Sequence, residues 1–198
     1  MKKWLPVLLI AMLLLTGCAG NDPAMTISTA KLNEDETAIV KLLGADIDQH
    51  IYDYRADDEL KSVRINAYEL VDGKWENCIG GGAMAVSGGE GRFALAFDVL
   101  PDGLRTAFQH GEESSASTWT APQKLDITGM SRSSARLEEL SSFEYEEEIA
   151  LVAQIITRKN EIKSLSPDEV LSSPEKIAEY GYDHVYLVTV TFSKNPLE

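Results

Sequence analysis

Hydrophobic and polar residues alternate with a period of two along much of the chain. Because successive side chains of a β-strand point to opposite faces, this period predicts strands with one buried face. The alternating stretches are 47–54, 62–70 and 92–100. Residues 148–157 and 184–192 are apolar on both faces, which is typical of central strands in a pair of packed sheets.

A helical period replaces the strand period in residues 33–43. Four apolar residues recur on one face of this segment: Ala38, Ile39, Leu42 and Leu43. Asn33 stands at the N-cap position, Glu36 stands at the capping-box position, and Gly44 can end the helix. These signals predict a helix near the N-terminus of the folded part.

Turn residues separate the predicted strands. Asp72-Gly73 is a strong signal for a hairpin, and Pro101 to Gly103 follow the strand at 92–100. Residues 111–121 are polar and are predicted to form a loop. Ser-Pro pairs at Ser166 and Ser173 predict two short helices before the last strand, because proline is favoured at the first helical position.

Several hairpins with few helices predict a mainly β fold. We expect an antiparallel β-sandwich, immunoglobulin-like in outline, with one N-terminal helix and short helices before the last strand. The Cys…Trp…Cys signature of true immunoglobulin domains is absent from the sequence, so this comparison concerns architecture alone.

The first residues have the pattern of a secretory signal. Two lysines follow Met1, and residues 4–15 are almost entirely apolar. An uncleaved transmembrane anchor is the alternative, but this run is short of the ~20 residues that a helix needs to cross the hydrocarbon core. We therefore predict that residues 1–17 are a signal peptide.

Leu15-Thr16-Gly17-Cys18 resembles the lipobox of bacterial lipoproteins. The resemblance covers residues 1–18 and implies that the sulfur of Cys18 carries a diacyl group and that the peptide bond before it is cut. Two acyl chains make a stable membrane anchor, whereas one chain binds reversibly. The expected organisation is a signal peptide (1–17), a lipidated cysteine and tether (18–27) and a single β-sandwich domain (28–198).

Composition restricts the partners of the chain. Residues 1–17 contain two lysines and no acidic residue, so the net charge of −14 becomes −16 in the expected mature chain. Such an acidic protein does not bind nucleic acid or anionic lipid headgroups electrostatically, and solubility is the usual reason for such a charge. If Cys18 carries lipid, Cys78 has no partner for an intrachain disulfide.

The sequence gives only weak signals for catalytic or metal-binding residues. Ser87 lies in a glycine-rich stretch that resembles a nucleophile elbow, but a strand and not a helix is predicted after it. His110 or His184 would have to serve as its base. The acidic groups Asp46/Asp48 and Glu144/Glu146/Glu147/Glu148 suggest oxygen ligands for calcium, but a solvated acidic surface is favoured. We predict no cofactor.

Five aromatic residues are the remaining candidates for a ligand-binding face: Tyr52, Tyr54, Tyr68, Trp75 and Trp119. Exposed together, such residues bind peptides or glycans, and packing in the core is the alternative. The sequence predicts a lipid-anchored extracytoplasmic protein that acts as a non-catalytic binding or interaction module at the cell envelope. The alternatives are an envelope hydrolase that uses Ser87, and a structural spacer or partner subunit with a flat apolar patch.

Overall fold

The computed structural model describes residues 25–43 and 48–197. The predicted signal peptide, Cys18 and most of the predicted tether lie outside these residues, as does Gly44. No helix in the described part of the chain has the length and apolar character needed to cross a membrane.

The described residues form eleven strands and three α-helices. The strands are β1 (Thr26–Thr29), β2 (Asp48–Ala56), β3 (Ser62–Val71), β4 (Lys74–Ala85), β5 (Gly89–Phe97), β6 (Gly103–His110), β7 (Glu113–Thr120), β8 (Ser131–Arg136), β9 (Ser141–Ser142), β10 (Glu148–Thr157) and β11 (His184–Ser193). The α-helices are α1 (Glu34–Leu43), α2 (Pro167–Ser172) and α3 (Pro174–Glu179). Leu100–Asp102 form one turn of 3-10 helix.

The strands form two antiparallel sheets that pack face to face. The six-stranded sheet has the order β7-β6-β5-β2-β1-β9, and the five-stranded sheet has the order β4-β3-β11-β10-β8. This arrangement confirms the predicted antiparallel β-sandwich. The N-terminal helix and the short helices before the last strand are confirmed as well.

The main hydrophobic core lies between the two sheets. Its largest side chains include Tyr52, Phe93, Leu95, Leu151 and Phe192. A second, smaller core lies on the outer face of the five-stranded sheet, where α2 covers β10 and β11 and α3 packs beside β4. β10 and β11, whose sequences are apolar on both faces, are therefore buried on both faces.

Helix caps form as the sequence predicts. In α1, Glu36 N donates to Asn33 Oδ1 (2.9 Å) and Asn33 N donates to Glu36 Oε2 (2.8 Å). In α2, the same reciprocal pair of hydrogen bonds joins Ser166 and Glu169. Each pair satisfies two backbone N–H groups that have no partner within the helix.

The apolar residues of α1 do not pack on the sheet. Ile39 is 57% exposed and Leu42 is 84% exposed, and the half-buried side of α1 carries Val40 instead. The reason is electrostatic. Glu36 reaches Arg92 of β5 (Oε1 to Nη1, 3.0 Å), and this contact turns the apolar side of α1 away from the sheet surface.

Residues 111–121 do not form the predicted loop. Gly111, with φ 58°, lies in a two-residue turn, and β7 then pairs with β6 from Glu113 to Thr120. The prediction was wrong because β7 carries small or polar side chains on both faces. Its backbone hydrogen bonds to β6, rather than a hydrophobic pattern, make it a strand.

The predicted hairpin at Asp72-Gly73 forms, and the strand predicted over 92–100 has different ends. The hairpin between β3 and β4 is confirmed, with positive φ at Asp72 (49°) and Gly73 (76°). The strand predicted over 92–100 begins and ends earlier, at Gly89 and Phe97. It ends early because Pro101 starts a 3-10 turn, in which Asp102 N donates to Val99 O (2.9 Å).

The ends of two predicted segments also need correction. The predicted tether (18–27) overlaps β1, which begins at Thr26 and pairs with β2, and Ile27 is fully buried. Residues 143–146 alternate aromatic and acidic side chains in the sequence, but they form no strand: Tyr145 and Glu146 lie in a turn, in which Glu146 has φ 64°. Phe143 is nevertheless buried, because it stacks on Phe192 with ring centroids 4.0 Å apart.

We expect the protein to lose stability at alkaline pH. Burial raises the pKa of Tyr52 above its ordinary value of 10.0 and raises the pKa of Tyr54 to about 12. In the unfolded chain both phenols ionise near pH 10, so above this pH the unfolded state releases more protons. The free energy of unfolding should therefore fall between pH 10 and 12, measured by urea unfolding at each pH.

Tyr54→Phe is the control, since it removes one of the two phenols and should weaken this pH dependence. A stability that stays constant through this range would contradict the burial of the two hydroxyl groups.

Candidate functional site

Tyr52 and Tyr54 do not belong to an exposed ligand face. They are 1% and 4% exposed, because the even-numbered residues of β2 point between the sheets. The Tyr52 hydroxyl donates to Leu151 O (3.0 Å), and the Tyr54 hydroxyl lies 3.1 Å from His110 Nδ1. The period of two in residues 47–54 already places both tyrosines on one face, and this signal favoured core packing.

The other three aromatic residues make separate contacts, and Trp119 lies on the other sheet from Tyr68 and Trp75. Tyr68 donates its hydroxyl to Glu148 on the five-stranded sheet. Trp75 Nε1 donates to Leu171 O (3.3 Å) beneath α2, so Trp75 belongs to the second core. Trp119 packs on Gly80, where a Cβ atom would lie 3.1 Å from Trp119 Cδ1. The five aromatic residues therefore do not form one binding surface.

Ser87 is exposed in the loop between β4 and β5. The two histidines considered as its base have other partners: His110 bonds to Tyr54, and His184 Nδ1 lies 3.0 Å from Glu69 Oε1 and 3.3 Å from the Tyr186 hydroxyl. Within the described residues, neither His110 nor His184 is hydrogen-bonded to Ser87.

The acidic residues near Glu146 are not simply a solvated surface. Glu146 Oε1 accepts from Ser193 Oγ (2.6 Å), and Glu148 Oε1 accepts from Asn66 Nδ2 (3.0 Å) and Thr189 Oγ1 (3.1 Å). These carboxylates join the strands around them, although Glu146, like Glu144 and Glu147, is exposed and only Glu148 is half-buried. In the parts of the chain that the structure covers, no three His, Cys, Asp or Glu side chains are grouped to hold a metal ion.

The outer face of the six-stranded sheet carries an apolar row that crosses four strands. Ile51 of β2 pairs with Ala94 of β5, Ala94 pairs with Ala107 of β6, and Ala107 pairs with Ala116 of β7. These four residues form the floor of an open depression of about 550 Å³, which we call the outer trough. Small side chains make the trough, because the flanking positions carry longer residues such as Arg92 and Gln109.

An ionic cluster forms one rim of the outer trough. Arg92 holds Asp53 with two hydrogen bonds (Nε to Oδ1, 2.6 Å; Nη2 to Oδ2, 3.2 Å) and holds Glu36 with a third. The pKa of Glu36 is lowered by its bond to the Asn33 backbone N–H and by Arg92. Arg92 is thus neutralised by two carboxylates, and its role here is to attach α1 to the sheet.

Helix α1 adds an exposed apolar ridge beside the outer trough. Ile39 and Leu42 form this ridge on the exposed side of α1, away from the half-buried Glu36 and Val40. Since Glu36 contacts Arg92 at the rim, α1 lies at the edge of the trough, and its ridge faces away from the sheet. The trough and the ridge are two exposed apolar features that meet at the Arg92 rim.

A second depression lies along the edge of β8. It has a volume of about 670 Å³ and is lined by His50, Arg136 and the segment 164–168. Its lining mixes polar and apolar side chains about equally, and Arg136 lies 3.8 Å from Glu138. Its arrangement of exposed charged groups points to no particular ligand chemistry.

The sequence patterns did not reveal the outer trough. The period of two places Ala94 and Ala96 on the solvent face of the strand predicted over 92–100. Ala116 belongs to the segment 111–121, which is predicted to be a loop. Only the strand register aligns these alanines with Ile51 and Ala107. Comparison with protein-family models, with curated proteins and with solved structures found no match, so the surface has to be interpreted from its own chemistry.

Proposed function

We propose that this protein is a lipid-anchored extracytoplasmic lipoprotein that binds another protein through the outer trough and the α1 ridge. The observation that carries the proposal is an open apolar floor on the sheet, with Ile39 (57% exposed) and Leu42 (84% exposed) on the helix that Arg92 attaches to its rim. Contiguous exposed apolar surface with a polar rim is typical of protein interaction sites. An open depression of this kind suits a protein segment better than a small molecule, which needs a more enclosed pocket.

Charge defines the partner further. Glu34 and Asp35 are exposed in the first turn of α1, and the basic side chain nearest to them on the trough rim, Arg92, is already neutralised. A partner segment therefore finds apolar side chains on the floor and negative charge at the start of α1. We infer an amphipathic, basic segment as the partner, since opposite charges speed association and reject acidic competitors.

The anchor places the interaction at the cell envelope. The lipobox at residues 15–18 supports attachment through Cys18, and β1 begins at Thr26, only a few residues later. The folded domain would then lie close to the membrane surface, and its partner would be an envelope protein or a peptide in that compartment. This part of the proposal depends on the sequence of residues 1–18 alone.

Site-specific photo-cross-linking tests the proposed surface. A benzophenone amino acid at Leu42 of the full chain, expressed in its native cells, should give a discrete covalent adduct. The adduct should map to an apolar, basic segment of one envelope protein. The same probe at Glu179, exposed on α3 at the opposite side of the sandwich, is the matched control and should give none.

A second variant tests whether the adduct at position 42 depends on binding at the ridge or comes from a chance contact. Ile39→Glu adds a charge to the ridge, and the adduct at position 42 should decrease about tenfold if the ridge contributes a buried contact. Equal adducts at positions 42 and 179, or an adduct that Ile39→Glu leaves unchanged, would refute the proposed surface.

A further inference from the structure

Strand β7 ends the six-stranded sheet without a neighbour on its outer edge. Among the described residues it pairs with β6 alone, and it does so without a register shift from Glu113 to Thr120. Seven of its eight residues are exposed, and Trp119 is half-buried. A regular, exposed edge strand presents unpaired N–H and C=O groups that can pair with another strand.

The other three edge strands among the described residues carry features that hinder such pairing. β9 is two residues long, β8 has Arg132 and Arg136, and β4 contains two register shifts and three consecutive glycines. Short length, charge and bulges are the devices by which natural sheets avoid edge-to-edge association. β7 is neither short nor bulged, and its one charged residue, Glu113, stands at its first position.

Charge favours a second copy of the chain at this edge. Residues 114–120 of β7 are uncharged, although the whole chain has a net charge of −14. If two β7 strands pair antiparallel about Ala116, Glu113 of each copy lies opposite Trp119 of the other. The two Glu113 side chains are then about 20 Å apart along the strands, beyond the ~10 Å range of unscreened repulsion at 0.1 M salt.

We propose that two copies of this protein pair through β7, antiparallel, with a two-fold axis at Ala116. A two-fold axis between antiparallel strands places a residue opposite its own copy, and such self-complementary interfaces are the commonest in homo-oligomers. Ala116 is the position that continues the apolar row. The row Ile51-Ala94-Ala107-Ala116 then runs on into the same row of the second copy, so the two outer troughs become one surface across twelve strands.

Cysteine cross-linking of the full chain in its membrane tests the pairing and its register. Directly opposite residues of antiparallel strands have Cα atoms about 4.5–5.5 Å apart, which is within disulfide reach. Ala116→Cys should therefore give a covalent dimer with a copper–phenanthroline oxidant. Ser114→Cys, which lies opposite position 118 and so about 14 Å from its own copy, should give about tenfold less.

Other outcomes overturn the proposal. Equal dimer from Ala116→Cys and Ser114→Cys, or from Ser133→Cys on β8, would indicate random collision. A disulfide from Ala116→Cys to a different protein would assign the edge to a heterologous strand. The dimer does not depend on the proposed partner of the trough, because the cross-link needs only two copies of this chain.

A charge variant gives an independent readout. Ala116→Lys places two like charges directly opposite each other, so the detergent-solubilised full chain should change from dimer to monomer in light scattering. Its circular dichroism should stay the same, since residue 116 is exposed. A native chain that is already monomeric in this measurement would refute the proposal.

Discussion

Cys18→Ser is expected to abolish lipidation of the chain and the cut before residue 18. A serine hydroxyl does not replace the nucleophilic thiol that the lipobox resemblance implies as the site of acylation. Two acyl chains contribute on the order of 20 kcal/mol of membrane affinity, at ~0.8 kcal/mol per methylene. The uncleaved apolar run of residues 4–15 is too short to span the membrane in their place.

The measurement is the intact mass of the detergent-extracted protein, together with its retention by membranes after washing at high salt. The native chain should begin at Cys18, carry added acyl mass and stay with the membrane. Cys78→Ser is the matched control, because it alters the only other cysteine and should keep both the mass and the retention. A native chain with an unmodified Cys18 would contradict the anchor.

Phe192→Ala is expected to lower the free energy of unfolding by about 3–5 kcal/mol. Phe192 is fully buried in β11. Its ring stacks on Phe143, with the two ring centroids 4.0 Å apart, and its centroid lies 5.1 Å from that of Tyr54. Removing its ring leaves a cavity between the two sheets and takes contacts away from both neighbours. Since a domain has about 5–15 kcal/mol of stability in total, this is a large share of it.

Urea unfolding followed by circular dichroism measures the change. Phe192→Leu retains much of the apolar volume and should lose less stability. Leu42→Ala removes a residue of similar apolar character that is 84% exposed, and it should change stability by less than about 0.5 kcal/mol. Losses of similar size for Phe192→Ala and Leu42→Ala would mean that Phe192 is not in the core.

Local patterns determined the type and place of most elements. The period of two placed β2, β3 and β5, stretches that are apolar on both faces placed β10 and β11, and the capping boxes at Asn33 and Ser166 placed two helices. These signals are local, because they depend on the directions of neighbouring side chains and on hydrogen bonds within one turn. The lipobox is local as well, so the expected lipid anchor needs no structure to be stated as a prediction.

Sequence alone did not reveal which surface is available to a partner. Tyr52 and Tyr54 are buried because β2 lies inside the six-stranded sheet, and Ile39 and Leu42 are exposed because Glu36 binds Arg92. The apolar row depends on the register of four strands, and the edge depends on strand order. Such features join residues far apart in the chain, so no local period carries them, and only the packing of the sandwich decides them.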